Sequence, residues 1–380
     1  MTRIEIDAVD GNARAGRMFT SRGEIPTPVF MPVGTRGAVK TLDTLDLEKL
    51  GPPIVLANTY HLMERPGPEL IAELGGLHRF MDWGGHILTD SGGYQVFSLE
   101  PKVTEASAVF RSVYDGAAVD LSPERSTQVQ NLLGSDIAMV LDVCAALPAE
   151  RADLRDALEL TLRWAERSRA AHNNPTQAQF GIVQGGTEPD LRSESAERTV
   201  EIGFDGYAVG GLSVGESLEQ MIPALWASMG PLPADQPRYF MGLGDPVGLM
   251  EAVAAGIDMF DCVLPTRLAR HGTALTNEGK LNLRNLRFAK DDGPIDPTFH
   301  HPLSSRYSRA YIRHLLTTKE PTAGRIITLH NLAWLADLIR RAREAIKNQT
   351  FAAFRAEVWR VWAPEAEPPP LPVVVNTSNS

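Results

Sequence analysis

Eight short apolar runs, rich in Val, Ile, Met and Phe, recur over the first two thirds of the chain. They are PVFMPVG, PIVLANT, HILTD, IAMVLDV, FGIVQG, GYAVGG, RYFMGL and DMFDCV, which begin at residues 28, 53, 86, 137, 180, 206, 238 and 258. Between several of them lie segments with helical periodicity, such as 151–172 and 217–229. Strands that alternate with helices predict a parallel sheet that is buried on both faces.

Eight such units in roughly 250 residues are the number and size of a (β/α)8 barrel, an α/β fold, which we prefer to an open doubly wound sheet. No G-x-G-x-x-G or Walker loop follows the first strand, which weakens a nucleotide-binding alternative. The pattern therefore predicts a catalytic barrel over 1–275, a C-terminal helical subdomain over 276–362 and a Pro-rich, then Ser/Asn-rich, disordered tail over 363–380.

Composition and charge limit the classes of protein. The 380-residue chain is 43% hydrophobic, has two cysteines and no apolar leader or membrane-span pattern, so we expect a cytoplasmic protein with free thiols. Its net charge of −10 argues against nonspecific coating of nucleic acid. Residues 262–345, however, carry 14 Lys or Arg against 7 Asp or Glu. This excess fits either a polyanion-binding face or an ordinary solvated helical surface.

Polar residues follow the C-terminal ends of the predicted strands. Asp90 ends HILTD, Asp142 and Gln184 end two further runs, Gly210 and Gly211 end a fourth, and Asp261 lies in the last. In a (β/α)8 barrel these ends converge on the catalytic face. The sequence therefore predicts a site that contains several carboxylates and an amide.

Clustered carboxylates have three physical uses: a metal site, a nucleophile and acid/base pair at a glycosidic bond, or a binding site for a polar heterocycle. The metal site calls for histidines near strand ends, where only His61 and His86 occur, and His86 begins its strand. Structural alternatives stay open at this point, since Asp90 can cap a turn and Asp258 can begin a strand.

Five motifs in order, DSGGYQVFSL (90–99), GIVQGG (181–186), YAVGGLSVGE (207–216), YFMGLGDP (239–246) and GIDMFDCVLPTR (256–267), resemble those of tRNA-guanine transglycosylases. The resemblance runs from about residue 5 to about 345. It implies a barrel with a C-terminal subdomain, commonly in a homodimer. It also implies exchange of the wobble guanine in GUN anticodons for a 7-deazaguanine base, which in the bacterial branch is 7-aminomethyl-7-deazaguanine on the route to queuosine.

The resemblance assigns roles residue by residue. Asp261 corresponds to the nucleophile that attacks the ribose C1′ and forms a covalent ribosyl-enzyme, and Asp90 to the general acid/base. The corresponding substrate-binding positions are Ser91, Gly92, Gly93, Tyr94, Asp142, Cys144, Gln184, Gly210, Gly211, Leu212 and Met241. The corresponding tRNA-binding positions are Gly242, Leu243, Gly244, Asp245, Pro246, Val247, Gly248, Thr266, Arg267, Leu268, Ala269 and Arg270. Cys144 and Val214 favour the aminomethyl base over the bulkier queuine.

The chain departs from the family at its structural zinc site, which uses C-x-C-x2-C and a downstream histidine. Phe299, His301 and Ser304 stand at the cysteine positions, and only His330 remains. With His300 the histidines still form an incomplete ligand set. We therefore predict no zinc and no other cofactor, with packing around Phe299, Leu303 and Leu332 holding the subdomain in place of the metal.

Two further functions compete with base exchange. A noncatalytic tRNA-binding or partner subunit is one, because relatives of the transglycosylases include such proteins, but Asp90 and Asp261 are both present. A metal-dependent hydrolase on the same barrel is the other, and it lacks candidate histidine ligands. The sequence favours the transglycosylase.

Overall fold

The computed structural model describes residues 2–99 and 101–372. Its strands are β1 (Arg3–Asp10), β2 (Ala13–Thr20), β3 (Gly23–Thr27), β4 (Val29–Met31), β5 (Val33–Gly34), β6 (Ile54–Ala57), β7 (His86–Thr89), β8 (Lys102–Val103), β9 (Ala108–Arg111), β10 (Ala118–Leu121), β11 (Ile137–Met139), β12 (Ala178–Val183), β13 (Gly206–Val209), β14 (Arg238–Phe240), β15 (Met259–Asp261), β16 (Thr273–Thr276) and β17 (Gly279–Asn282).

Its α-helices are α1 (Thr44–Leu50), α2 (Thr59–Glu64), α3 (Pro68–Glu73), α4 (Gly76–Met81), α5 (Gly93–Ser98), α6 (Pro123–Leu133), α7 (Arg151–Ala171), α8 (Pro189–Ile202), α9 (Leu218–Met229), α10 (Pro246–Ala254), α11 (Leu264–Arg270), α12 (Arg309–Thr317), α13 (Pro321–Lys347) and α14 (Phe351–Trp362). A 3₁₀ turn spans Leu286–Phe288. Among the helices in the described ranges, none combines the length and apolar character needed to span a membrane.

The chain divides into two compact units. The first contains Arg17–Ile25 and Met31–Gly242, with the N-terminal residues up to Glu5; the second contains Ile6–Gly16, Pro26–Phe30 and the chain from Leu243 onward. The domain limits expected at residues 275 and 362 stay predictions. Of the expected tail, residues 363–372 contain no helix or strand, and 373–380 lie outside the described residues.

A parallel sheet organises the first unit, with seven strands in the order β14-β13-β12-β11-β7-β6-β5. All residues of β6, β7, β12 and β13 are buried, as expected for strands that are covered on both faces. In the second unit, β4 and β15 are hydrogen-bonded neighbours. The predicted α/β class, a (β/α)8 barrel with C-terminal helices, is confirmed.

The eight predicted strand positions are all occupied by strands. The first run divides into β4 and β5, because Pro32 lies between them and has no N–H to donate to a sheet. Helices α7 and α9 occupy the two predicted helical segments to within a residue. Helix α9 begins with a capping box, in which the side chains of Ser217 and Gln220 each accept a hydrogen bond from the other's backbone N–H.

The second unit has its own apolar core beneath the β16-β17 hairpin and helices α11 to α13. Its buried members are Ala269, Ala274, Leu283, Phe288, Ile295, Ile312, Leu315, Leu316, Ala323, Ile326 and Ile327. Helix α13 also holds the polypeptide around it through Asn331, which donates to the carbonyls of Pro265 and Thr273 and accepts from the N–H of Leu275. The helical stretch predicted up to Trp362 is interrupted at 348–350, where Gln349 has φ +58°.

Two buried ion pairs stabilise this unit. Arg14 binds both oxygens of Asp258 through one edge of its guanidinium group, with Nε to Oδ1 at 2.9 Å and a terminal nitrogen to Oδ2 at 2.5 Å. Arg355 binds Glu251 in the same way at 2.6 and 2.8 Å, and Trp359 Nε1 donates to the same carboxylate at 2.6 Å. Asp258 also lies just before β15, so its contacts support the structural alternative considered for it.

Candidate active site

Asp90 directly follows β7, and three donors of the first unit converge on its carboxylate. Oδ2 accepts from Asn58 Nδ2 at 2.5 Å. Oδ1 accepts from the backbone N–H groups of Thr59 and Gly92 at 2.9 and 3.2 Å. These donors stabilise negative charge on a side chain that stays partly exposed.

Asn58 is a functional candidate that the sequence analysis missed. Its Oδ1 accepts from the N–H of His61 and so caps α2, while its Nδ2 donates to Asp90. From sequence, an asparagine before a helix predicts a cap and nothing more. The structure shows that the cap also orients the carboxylate.

Asp142 and Gln184 form a second polar pair, at the ends of the neighbouring strands β11 and β12. Gln184 Nε2 donates to Asp142 Oδ2 at 2.6 Å, and Ser91 Oγ donates more weakly to Oδ1 at 3.5 Å. Both members are buried. Burial raises the pKa of the Asp142 carboxyl to about 6, although the hydrogen bond from Gln184 opposes the rise.

Glycines bring the backbone against this pair. A Cβ on Gly93 would collide with Asp142 Oδ1, and one on Gly211, where φ is +65°, would collide with Gln184 Oε1. A Cβ on Gly210 would lie 3.0 Å from Gln184 Nε2. The predicted residues that meet here, Ser91, Gly93, Asp142, Gln184, Gly210 and Gly211, are called the Asp142 cluster below.

Arg192, on α8, holds the loop that presents Gln184 and was also missed. Its guanidinium donates to the carbonyls of Val183 and Gly186 at 3.0 and 2.7 Å, on either side of Gln184. Ser195 Oγ accepts from the N–H of Gln184 at 3.0 Å. Arg192 is fully buried, a rare state for an arginine, and burial lowers its pKa to about 10. No local sequence pattern signals these contacts.

Cys144 and the loop after β13 lie near the Asp142 cluster. Burial, with the charge of Asp142 adding to it, raises the pKa of the Cys144 thiol to about 12, so the thiol is neutral. Glu216 accepts hydrogen bonds from the backbone N–H groups of Ser213 and Val214, and its charge also acts on Cys144. Glu216 was not among the predicted site residues.

The other predicted substrate-binding residues of the first unit differ in exposure. The Tyr94 side chain is 63% exposed on α5, and Met241 is partly buried after β14. Leu212 is buried. Gly92 has φ +83°, which explains the need for glycine in the turn after Asp90.

In the second unit, Asp261 ends β15 with its side chain largely buried. Burial of the neighbouring Cys262 thiol, with the charge of Asp261 adding to the effect, raises the pKa of that thiol to about 12. Gly244 packs so closely on Cys262 that a Cβ there would collide with the cysteine Cβ. The backbone around Asp261 is thus tightly packed.

The predicted tRNA-binding segments are a turn and a helix. Gly242 has φ +78°, and Asp245 begins α10 as its N-cap by accepting from the N–H of Gly248 at 2.7 Å. On α11, Arg267 and Arg270 are exposed. Thr266 and Ala269, on the same helix, are buried.

The positions that correspond to the family's zinc ligands carry other contacts. His330 is buried, its Nε2 donates to the carbonyl of Leu275 at 2.8 Å, and its Nδ1 accepts from Ser304 Oγ at 3.3 Å. Phe299 stacks on His301 and meets the His330 ring edge-on, at centroid distances of 6.4 and 5.6 Å. Burial lowers the pKa of His330 to about 4.

These residues do not fit a zinc ion, because both nitrogens of His330 are engaged and Phe299 offers no ligand atom. Within residues 2–99 and 101–372, no group of three or more His, Cys, Asp or Glu is arranged to hold a metal.

Comparison with known proteins places the chain in a family. The family model described as queuine tRNA-ribosyltransferase matches residues 9–364. A queuine tRNA-ribosyltransferase of Solidesulfovibrio magneticus is 53% identical over 94% of this chain and 97% of its own length. One from Mesorhizobium japonicum is 51% identical over 95% and 96%, and one from Agrobacterium fabrum is 49% identical over 94% and 96%. The chain therefore belongs to the queuine tRNA-ribosyltransferase family.

Proposed function

We propose that the chain is a tRNA-guanine transglycosylase of queuosine synthesis. It is a pentosyltransferase that exchanges the wobble guanine of GUN-anticodon tRNAs for 7-aminomethyl-7-deazaguanine. The observation that carries the proposal is the family match over 9–364, with identities near 50% to relatives over nearly their whole length. The donor and acceptor pattern of the Asp142 cluster supports it chemically.

The Asp142 cluster suits the edge of a guanine-like base. Guanine presents two adjacent donors, N1–H and the 2-amino group, which an ionised carboxylate accepts together. Gln184 Nε2 has two hydrogens, of which Asp142 takes one, so the other is available to the base O6. Backbone N–H groups at Gly211 and Leu212 are further donors for O6. Adenine presents the opposite pattern, so this arrangement selects against it.

The proposed chemistry is a double displacement. Asp261 attacks the ribose C1′, the N-glycosidic bond to guanine breaks, and a covalent ribosyl-enzyme forms. Asp90 gives its proton to N9 of the departing guanine and then takes the N9 proton of the incoming base. That base attacks C1′ and displaces Asp261, which restores the original β configuration. The three hydrogen bonds to Asp90 hold its carboxylate in a fixed orientation for both proton transfers.

The 7-substituent is proposed to lie near Cys144 and Val214. A neutral, small thiol leaves room for an aminomethyl group but not for the ring carried by queuine. The charge of Glu216 acts on Cys144, so it also favours a cationic substituent there.

The contacts with the anticodon loop are proposed to involve 242–248 and 266–270, where Arg267 and Arg270 are exposed cations. Arginine suits both phosphates and guanine edges. A homodimer and a cytoplasmic location, expected from the sequence, complete the proposal. A tRNA substrate agrees with that location.

The subdomain is proposed to fold without zinc, through the contacts of Phe299, Ser304 and His330. We expect purified protein to contain well under one equivalent of zinc and to keep its melting temperature in a chelator. The triple substitution Phe299→Cys, His301→Cys and Ser304→Cys should then create zinc binding, and adding His330→Ala should weaken it. Near-stoichiometric zinc in the unmodified protein would contradict the proposal.

The decisive experiment incubates the protein with labelled guanine or 7-aminomethyl-7-deazaguanine and a tRNA that carries guanine at the wobble position. Wild type should incorporate the label and form a trappable covalent adduct with tRNA. Asp261→Asn should do neither. Binding of tRNA without any incorporation by wild type would instead identify a noncatalytic tRNA-binding subunit.

A further inference from the structure

One glutamine of α6 bridges β7 and β11 at the point where their pairing ends. The two strands pair as far as Thr89 and Ala138. Strand β11 continues to Met139, whereas β7 ends at Thr89 and is followed by Asp90. Gln130 is fully buried, and its side chain makes hydrogen bonds to both strand ends.

The Gln130 side chain binds Met139 as a neighbouring strand would. Its Oε1 accepts from the N–H of Met139 at 2.8 Å, and its Nε2 donates to the carbonyl of the same residue at 2.8 Å. A side-chain amide carries the same kinds of donor and acceptor as a peptide unit. The two bonds fix the orientation of the amide and tie α6 to the strand that leads to Asp142.

The same amide holds the chain on both sides of Asp90. Before it, Thr89 Oγ1 donates to Gln130 Oε1 at 3.0 Å. After it, Ser126 Oγ donates to the carbonyl of Ser91 at 2.7 Å and accepts from Gln130 Nε2 at 3.3 Å. A hydroxyl has one hydrogen to donate, so the hydroxyl of Ser126 passes the contact with Gln130 on to Ser91. The residues just before and just after Asp90 are therefore both tied to Gln130.

Each carboxylate is also anchored to a neighbour on its other side. Asp90 accepts from donors in the turn after β6. The segment of Asp142 is held by α7, where the N–H of Val143 donates to Thr161 Oγ1 at 2.9 Å. These contacts bind the two carboxylates to different parts of the first unit. Gln130 joins the two segments to each other.

We propose that Gln130 is a positioning residue for base exchange and sets the spacing between Asp90 and Asp142. The inference rests on the proposed function and adds to it a residue that does not touch the substrate. A base held at its edge by Asp142 presents N9 to Asp90 only when the two carboxylates lie the right distance apart. Proton transfer needs hydrogen-bond distance, and a misplacement of about 1 Å can lower a rate by about 10²-fold.

The test compares Gln130→Met with Gln179→Met. Methionine is unbranched and flexible like glutamine but has no amide to hydrogen-bond. Gln179 lies on β12, is buried like Gln130, and donates to the carbonyl of Ser168 on α7 at 3.0 Å, so its variant controls for the loss of a buried amide. Measured are the affinity for the base without tRNA, kcat, both KM values, the rate of covalent adduct formation and the melting temperature.

Gln130→Met should lower kcat and the rate of adduct formation roughly 10–100-fold, while the affinity for the base stays close to that of wild type. Gln179→Met should also lower the melting temperature but keep the wild-type kcat.

Ser126→Ala removes a single hydroxyl and serves where Gln130→Met does not fold. It should lower kcat by a smaller factor than Gln130→Met. The double variant should be little slower than Gln130→Met alone, because Ser126 acts through the same chain of hydrogen bonds.

A wild-type kcat in folded Gln130→Met protein would overturn the proposal, as would equal losses of kcat in the Gln130 and Gln179 variants. A fall in base affinity with unchanged kcat would overturn it too. Crystal structures of both variants supply a measurement that needs no activity, since the distance between the carboxyl carbons of Asp90 and Asp142 should change in Gln130→Met alone. If wild type exchanges no base, the proposed function fails, and this distance still decides whether Gln130 sets the spacing.

Discussion

Buried carboxylates occur in two different settings in this protein. Asp258, in the second unit, is bound on both oxygens by Arg14. Asp142, in the first, accepts hydrogen bonds from the neutral side chains of Gln184 and Ser91. A carboxylate paired with a buried guanidinium has its charge and its lone pairs satisfied. One with neutral donors keeps acceptor capacity for a ligand.

Glu251 follows the pattern of Asp258, since Arg355 and Trp359 surround its carboxylate. By contrast, burial of Asp142 is incompletely compensated, and its pKa rises to about 6. Unmet hydrogen-bonding capacity, more than burial itself, thus distinguishes a binding carboxylate from a structural one. Four experiments test this distinction.

The largest effect is expected from Asp258→Asn. The substitution leaves Arg14 buried without its counterion, which should lower the free energy of unfolding by about 3–5 kcal/mol. Chemical denaturation measures the loss. The double variant Arg14→Met with Asp258→Leu, which removes both charges, should lose less. An Asp258→Asn protein as stable as wild type would place Asp258 in the same class as Asp142.

Asp142→Asn should weaken binding of the base and stabilise the fold, whereas Asp258→Asn should destabilise the fold. It should raise the base KM by roughly 10²–10³-fold, because an amide cannot accept both donors of the guanine edge. It should also raise the free energy of unfolding at pH 7 by roughly 1–3 kcal/mol, since the folded-state pKa lies above the ordinary value and the charge is therefore unfavourable in the fold. Lower stability without a change in base KM would contradict the comparison.

Lowering the pH should weaken base binding by wild type in the same way as Asp142→Asn does. Below pH 6 Asp142 takes up a proton, so kcat/KM for the base should fall towards acid and be about tenfold lower at pH 5 than its plateau. The acid limb near pH 6 should be missing from the Asp142→Asn profile. A limb that persists in the variant would assign the ionisation to another group.

The smallest effect is expected from Arg192→Leu, which frees the carbonyls on either side of Gln184. A less well oriented Gln184 donates more weakly to Asp142, and since that hydrogen bond lowers the Asp142 pKa, the acid limb should move to higher pH. The base KM should rise several-fold. Arg198→Leu, on the exposed face of the same helix, is the matched control and should leave the profile unchanged.

If Arg192→Leu does not fold, Arg192→Lys serves in its place. Lysine keeps the charge and reaches one carbonyl at a time, so a partial shift of the acid limb is expected. A folded Arg192 variant with the wild-type profile would exclude a positioning role.

Sequence reasoning predicted the barrel well because strands buried on both faces are nearly continuous apolar runs, and because a barrel collects their C-terminal ends. Asp142 and Gln184 illustrate this: each follows its strand, and the structure brings them within 2.6 Å. The β8-β9-β10 sheet and the β16-β17 hairpin were missed because each of their strands is only two to four residues long.

The residues that support the site could not be predicted in the same way. Arg192 resembles any helical arginine until the fold places two carbonyls around it. Gln130 lies on α6, 41 residues from its partner Thr89. Contacts between residues far apart in the chain depend on packing, and no local periodicity records them.

Asp142 also couples base binding to proton release. At pH 6 the Asp142 carboxyl carries a proton in about half of the molecules. A nucleobase that binds only to the ionised carboxylate then releases that proton into solution. The heat measured on binding then includes the ionisation heat of the buffer, so two buffers of different ionisation enthalpy should give different apparent values. A calorimeter can thus count the protons displaced from one side chain.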